Sequence, residues 1–479
     1  MKNIFISLTI IFLLKDLSFA QEHGSPYIWP ADPLVLANLD EWQDLKFGLF
    51  MHWGTYSQWG IVESWSLCPE DEGWTQRRGE FSQDYFTYKK AYENLQTTFN
   101  PVDFNPEKWA EAAKDAGFKY VVFTFKHHDG FCMFDSRLTD YKITSSNTPF
   151  HTSPRANIAG EITNAFSKKG FKVGAYFSKP DWHCPDYWWP YFPPKDRNVN
   201  YDPARYPERW NAFKEFTFRQ IEEILTSYGK IDILWLDGGW VCPKSTVDPK
   251  ADYYHKVIDQ DIDMAGIAAM GRRHQPGLIV VDRAVGTEYE NYRTPEQHIP
   301  DKPLDYPWET CMTMATSWSY VPNDTYKPAR TIIHNLVDIV AKGGNYLLNI
   351  GPGPEGDYHD AAYERMKEIG EWMKVNGEAI YRTRPLFPYK EANICFTRNK
   401  TGEVNAIYLA GENEPSLPET ISIKGIKPVK GATILLMGTT SKLKWKSVNG
   451  ETILYIPSSC REKPPCKYAW AFHISGIEQ

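Results

Sequence analysis

Ile231-Asp232-Ile233-Leu234-Trp235-Leu236-Asp237-Gly238-Gly239-Trp240 is the stretch on which the reading of this chain turns. An apolar run closed by an acid and two glycines has the pattern of a buried strand that delivers one carboxylate to its C-terminal end. Upstream, residues 210–228 have helical spacing, and Gly229 stands where a left-handed cap would stop the helix. The local unit is therefore helix, glycine, strand, acid. Set around a barrel, such units place catalytic groups at the strand C-termini, and there Asp237 reads as a nucleophile. Outside that setting the same acid reads only as the opening residue of a Gly-Gly turn.

The unit recurs in both directions along the chain. Residues 109–116 and Gly117 lead into the apolar run 118–125, and residues 158–169 and Gly170 lead into 171–178. Further on, residues 262–277 lead into 278–283, and residues 330–343 lead into 345–350; an early strand falls at 47–51. Asn105, Pro106 and Glu107 supply a cap, a first-turn proline and a first-turn acid for one of these helices. Alternating helix and strand signals predict a parallel sheet with crossover helices. Over residues 25–385 they predict a TIM-like (β/α) barrel, with room for irregularity because eight strands cannot be counted. Later segments such as 406–409, 420–423, 433–436, 452–456 and 469–474 are short, strand-like and separated by turn residues. They predict a C-terminal antiparallel β-sandwich over residues 386–479.

Composition narrows the function classes. The chain has 479 residues and a net charge of −7, and it carries no basic block, which argues against a nucleic-acid partner. Its 18 Trp, 28 Tyr and 25 Phe are mostly core material, but some are available as flat apolar platforms for sugar rings. Residues 1–20 have the form of a secretory signal: Lys2, an apolar run at 4–14, and the exit Ser18-Phe19-Ala20. That run is too short to span a membrane and no later one is longer, so an exported protein, periplasmic or secreted, is expected. Eight cysteines without CxxC spacing do not suggest a zinc site. Cys460 and Cys466 flank Arg461-Glu462-Lys463-Pro464-Pro465 and are placed to close a small loop in an oxidising compartment.

The strand ends carry the chemistry. They present His52, then Lys126-His127-His128-Asp129, then residues 176–179 with Tyr176, then Asp237, Arg283 and Asn349. Gathering so many polar groups at one face is costly unless they are used or paired. His127, His128, Asp129 and Asp237 could form a metal site, although the usual His-x-His spacing is absent. The histidines also suit hydrogen bonding to sugar hydroxyls, since neutral imidazole offers one donor and one acceptor. Glycoside hydrolysis requires a second carboxyl group. Glu288, Glu290, Glu296 and Glu309 follow Arg283, and their positions alone do not choose among them. Trp235 faces the same side as Asp237, as core or as a sugar platform.

Several blocks resemble one known family. They are Lys46-Phe47-Gly48-Leu49-Phe50-Met51-His52-Trp53-Gly54, Lys126-His127-His128-Asp129-Gly130-Phe131, Leu234-Trp235-Leu236-Asp237-Gly238, Trp308-Glu309-Thr310-Cys311-Met312-Thr313, Gly344-Asn345-Tyr346-Leu347-Leu348-Asn349-Ile350-Gly351-Pro352 and Asn376-Gly377-Glu378-Ala379-Ile380-Tyr381. In this order they resemble the signature blocks of the α-L-fucosidases of glycoside hydrolase family 29. The resemblance implies a retaining, metal-free and cofactor-free enzyme acting on fucosylated oligosaccharides or glycoconjugates. It implies Asp237 as nucleophile, with His52, His127, His128, Tyr176, Trp235 and Arg283 around the sugar. The block Tyr292-Arg293-Thr294-Pro295-Glu296 resembles the segment that supplies the acid/base, which points to Glu296, with Glu309 second. Many members carry Glu-Trp-Tyr after the His-Trp-Gly block; here that region reads Val62-Glu63-Ser64-Trp65-Ser66, which departs from the pattern and leaves Glu63 as the matching pocket residue. The departure keeps open a close relative of fucose, such as L-galactose.

Overall fold

The computed structural model describes residues 26–70, 77 and 79–478. The expected signal at 1–20 lies outside the described residues. Seven parallel strands form one sheet: β1 (Phe47–Met51), β2 (Tyr120–Lys126), β3 (Lys172–Ser178), β4 (Ile233–Asp237), β5 (Ile279–Asp282), β6 (Glu309–Thr313) and β7 (Asn345–Ile350). Their order is β5-β4-β3-β2-β1-β7-β6. The helices between them include α1 (Pro33–Leu45), α2 (Tyr85–Glu93), α3 (Pro106–Ala116), α4 (Ile158–Lys168), α5 (Pro207–Ser227), α6 (Met264–His274), α7 (Ala329–Ala341) and α8 (Asp360–Asn376). The capping signals hold. The Asn105 side chain accepts from the Lys108 amide, Pro106 opens α3, and Gly117 ends it at φ 94°.

The strands are buried on both faces, as in a covered parallel sheet, and the two faces feed different clusters. Leu49, Val121, Phe177 and Leu234 pack outward under the helices. Phe50, Tyr120, Val122, Tyr176, Ile233, Trp235, Val281, Cys311 and Leu347 meet in one inner cluster. Side chains from all seven strands share that cluster, so the sheet curls around it. Gly48 has a specific part in this: a Cβ there would lie 2.3 Å from the Tyr120 ring. Trp42 of α1 lies flat on Tyr292, with ring centroids 4.0 Å apart, and closes the N-terminal end.

The count of eight regular strands is not met. β5 and β6 are the edges, and no helix joins them. Instead the irregular segment 289–297 lies between them. It meets β5 through the Val281–Glu290 bridge and β6 through the Arg293–Trp308 and Glu296–Cys311 bridges.

Beyond α8 the chain turns to antiparallel pairing. β8 (Thr383–Glu391), β9 (Ile394–Asn399), β10 (Val404–Leu409), β12 (Ile434–Leu436) and β15 (Ala469–Ile474) form a sheet of order β12-β15-β10-β9-β8. β11 (Thr420–Ile423), β13 (Lys444–Val448) and β14 (Glu451–Tyr455) form a second, of order β11-β14-β13. Phe396, Ala406, Trp470, Ile421 and Leu454 join both sheets in one apolar cluster. The eight strands exceed the five read from the sequence: β8, β9 and β13 were not read, β8 being half-buried along most of its length and β13 largely exposed, neither with a clean alternation. The unit is tied to helices α8 and α1 by Trp372 donating to the Ala469 carbonyl at 2.8 Å and by Arg384 and Lys400 pairing with Asp40 and Asp44. The suggested 460–466 bridge is corrected: both thiols are free, with Cys460 against Ser441 and Cys466 donating to the Ala469 carbonyl at 3.1 Å.

Candidate active site

The C-terminal ends of the strands converge as anticipated, and Asp237 lies at the centre. It is the last residue of β4, and Gly238 after it has φ 92°. A Cβ at that glycine would meet Pro180 at 2.3 Å, so only glycine lets the loops after β3 and β4 come this close. Tyr176 donates to Asp237 Oδ2 at 2.7 Å, and Arg283 Nη1 donates to Oδ1 at 2.9 Å. Burial would raise the Asp237 carboxyl, but the Arg283 guanidinium and the Tyr176 hydroxyl hold it well below the usual carboxylate range.

Arg283, just past β5, also donates through Nη2 to Glu296 Oε2. One guanidinium thus holds two carboxylates, one on each terminal nitrogen, a charge-assisted arrangement that fixes both in position. The residues following these two, Ala284 at φ 63° and Gln297 at φ 52°, sit in the left-handed region that non-glycine residues seldom occupy. Side-chain exposure rises from 15% at Asp237 through 18% at Arg283 to 31% at Glu296. The site therefore opens on the Glu296 side.

The three histidines form a buried wall. His52 Nδ1 lies 2.7 Å from Asn349 Oδ1, while the Asn349 amide nitrogen donates to the Trp318 carbonyl. The Asn349 oxygen is therefore the acceptor and His52 carries its proton on Nδ1. His128 Nδ1 lies 2.7 Å from Ser178 Oγ, whose single proton goes to the Pro180 carbonyl at 2.5 Å. His128 must also be protonated on Nδ1. Burial lowers both imidazoles to about 4, so both are neutral at pH 7 and present Nε2 as an acceptor. His128 Nε2 has no hydrogen-bond partner among the described residues and lies 3.8 Å from Asp237 Oδ2. His127 is held by Ser64, whose hydroxyl also accepts from the Asp129 amide. The unpartnered Arg283 Nε–H donor and the Nε2 acceptors of His52 and His128 suit a ligand rich in hydroxyl groups.

Glu63 is buried beside this group, and burial together with the Glu296 and Asp237 charges pushes it up to about 8. It is the protonated carboxyl of the site at neutral pH. Trp235 is only 1% exposed and lies beneath the pocket, with Arg283 over its ring at 5.3 Å. It offers no open face, which removes the platform reading. Glu309 opens β6, at the end of the sheet opposite Asp237, and is fully buried. Glu290 is spent on its own loop, accepting from the Ala284 and Gly286 amides.

Sequence reasoning passed over Ser64 and Trp65, and Trp240, whose ring lies 5.2 Å from that of His128. Trp65 also packs against His128, and Arg197 lies over both tryptophan rings. Isolated serines and tryptophans carry no spacing signal, so nothing in the chain marked them.

Cleavage of a glycosidic bond uses a pair of carboxyl groups, and the strand ends bring Asp237 and Glu296 to one arginine. Glycoside hydrolases are the class that this fold and site define. A family model for alpha-L-fucosidases matches residues 16–378. The tissue alpha-L-fucosidase of Bos taurus is 28% identical over 476 residues, covering 94% of this chain and 91% of that protein. The alpha-L-fucosidase of Branchiostoma floridae is 26% identical over 486 residues, covering 98% and 99%. Among solved structures, alpha-L-fucosidase isoenzyme 1 from Paenibacillus thiaminolyticus superposes with a TM-score of 0.72 at 26% identity, covering 93% of this chain and 100% of that one. A GH29 alpha-L-fucosidase from Bacteroides thetaiotaomicron, captured as a trapped covalent intermediate, shares the fold with a TM-score of 0.69 at 24% identity, covering 95% and 99%. The chain belongs to the alpha-L-fucosidase family.

Proposed function

We propose that this chain removes terminal α-L-fucose from oligosaccharides or glycoconjugates by retaining double displacement, with Asp237 as nucleophile and Glu296 as acid/base. The observation that carries this assignment is the Arg283 clamp on both carboxylates at the open end of the site. Once its Arg283 contact has yielded and it has taken up a proton, Glu296 gives that proton to the leaving oxygen as Asp237 attacks the anomeric carbon; the glycosidic bond breaks and a glycosyl ester forms. Glu296 then takes a proton from water, the water attacks the same carbon, and the ester bond breaks with configuration retained. Retaining enzymes place their carboxyl groups about 5–5.5 Å apart, a spacing that one guanidinium can span. Arg283 engages Glu296 directly, so the acid step requires that contact to yield as the leaving oxygen arrives. The covalent intermediate trapped in the Bacteroides thetaiotaomicron relative supports the ester. His52, His127, His128, Tyr176 and Glu63 bind the sugar hydroxyls, and Trp235 supports the pocket from beneath.

The architecture belongs to the same proposal. Residues 25–385 form an irregular (β/α) barrel in which segment 289–297 completes the ring, and residues 386–479 form a β-sandwich. Residues 1–20 direct export to the periplasm or beyond, consistent with the lack, among the described residues, of any helix long and apolar enough to cross a membrane.

The test compares wild type with Glu296→Ala on aryl α-L-fucosides of good and poor leaving ability. The variant should lose about 10²–10⁴-fold on the poor leaving group, lose far less on the good one, and regain rate with azide. Equal loss on both substrates without azide recovery would overturn the Glu296 role. Wild-type cleavage of α-L-galactosides in preference to fucosides would move the substrate to the C6-hydroxyl relative.

One observation favours a metal-dependent reading: ligand atoms of His127, His128 and Asp237 lie within 4.8 Å of one another. Against it, both Asp237 oxygens already accept from Tyr176 and Arg283, and a guanidinium at 2.9 Å repels a cation. Activity that survives a chelator would retire it.

A further inference from the structure

Glu309 is a buried carboxyl that the proposed chemistry does not use. It lies in the inner cluster at the N-terminal end of the strands, away from solvent and from the reacting atoms. Both of its oxygens are engaged by neutral donors. The Tyr120 hydroxyl donates to Oε2 at 2.6 Å, and Trp235 Nε1 donates to Oε1 at 3.2 Å. Trp235 is the only one of these partners that reaches the catalytic end. Its ring stacks on Tyr176 at 5.4 Å and 23°, and the Arg283 guanidinium lies over it at 5.3 Å. Tyr176 and Arg283 are the two donors that hold Asp237.

We infer that Glu309 is a positioning residue: by fixing the indole of Trp235 it sets the height and angle of Tyr176 and Arg283, and through them the nucleophile. The inference rests on the assignment of Asp237 above. An indole N–H can only donate, and without Glu309 the acceptor in reach is the Tyr292 hydroxyl, which lies beside both side chains. The ring then shifts to find a partner, and both groups stacked on it shift too. A misplacement of about 1 Å at a reacting group can cost about 10²-fold in rate. Glutamine preserves the arrangement, because its amide oxygen accepts from Trp235 while its NH2 group donates to the Tyr120 oxygen. The Tyr120 proton can then turn toward the neighbouring Asn345 Oδ1, which has no partner of its own. Leucine supplies no acceptor.

The experiment measures kcat and KM on an aryl α-L-fucoside for wild type, Glu309→Gln, Glu309→Leu, Trp235→Phe and the double variant Trp235→Phe/Glu309→Leu. Wild-type turnover tests the family reading independently. Glu309→Leu and Trp235→Phe should each lower kcat by about 10–100-fold. Glutamine should recover most of the rate lost with leucine, and azide should recover none of it. The double variant should be no worse than the poorer single by more than about 3-fold, because both act through one contact. Multiplying losses, recovery by azide, or a glutamine variant as poor as leucine would each overturn the inference. Should leucine prevent folding, a Trp235→Phe variant at wild-type rate overturns it alone.

Discussion

The two ends of the same seven strands treat their carboxylates in opposite ways. At the C-terminal end, Asp237 is kept charged by an arginine and a tyrosine hydroxyl, and it stays partly open to solvent. At the N-terminal end, Glu309 meets only neutral donors, and burial pushes it up to about 7. A buried charge is costly unless it is paired. The fold pairs the charge of Asp237, the proposed nucleophile, and disfavours that of Glu309 in the scaffold.

Removing the charged end should have the largest effect. Asp237→Ala should lower turnover of an aryl α-L-fucoside by about 10⁴-fold or more, read from initial rates. A loss under tenfold would break the contrast between the two ends. Arg283→Met should follow at about 10²–10³-fold, since it frees both carboxylates and removes positive charge beside the ester-forming oxygen. A loss confined to KM would mean that Arg283 only binds substrate.

The pH dependence of stability sharpens the suppressed side. Glu63 is raised from 4.5 to about 8 in the folded chain, so folding holds its proton more tightly than the unfolded chain does. Its contribution weakens stability as pH rises from about 4.5 to about 8 and stays constant outside that window. Glu63→Gln should therefore lose less melting temperature than wild type between about pH 5 and about pH 8. Parallel curves would place the Glu63 proton elsewhere. The smallest effect is expected far from either end. Trp372→Phe removes one bond to the Ala469 carbonyl and should cost about 1 kcal/mol in denaturant unfolding while leaving kcat unchanged.

Part of this contrast was legible. Asp237 was legible because it closes an apolar run, whereas Glu309 opens Glu309-Thr310-Cys311-Met312-Thr313, which has no such run and reads only as one of the acids that follow Arg283. The helix stops at Gly117 and Gly229 were readable because a positive φ favours glycine over all other residues. The histidine wall was readable as residue types, but its tautomers were not, since they depend on Ser178 and Asn349, which lie 50 and 297 positions from their histidines. The closing segment 289–297 was hidden because it is held by isolated bridges and carries neither helical nor strand periodicity. Trp235 stayed open between core and sugar platform because strand alternation gives the side on which a residue lies and says nothing of the depth at which it is buried.

That closing segment has a consequence for inheritance. Asp237 is built into a strand whose every neighbour constrains it, while Glu296 hangs from a stretch joined to the sheet by a few bridges. Insertions and substitutions between residues 284 and 308 can move the proposed acid while strand β4 keeps the backbone of Asp237 in place, Arg283 remaining the one side chain that joins the two. Descendants of such a chain are free to diversify in the linkage they cut while keeping the sugar they recognise.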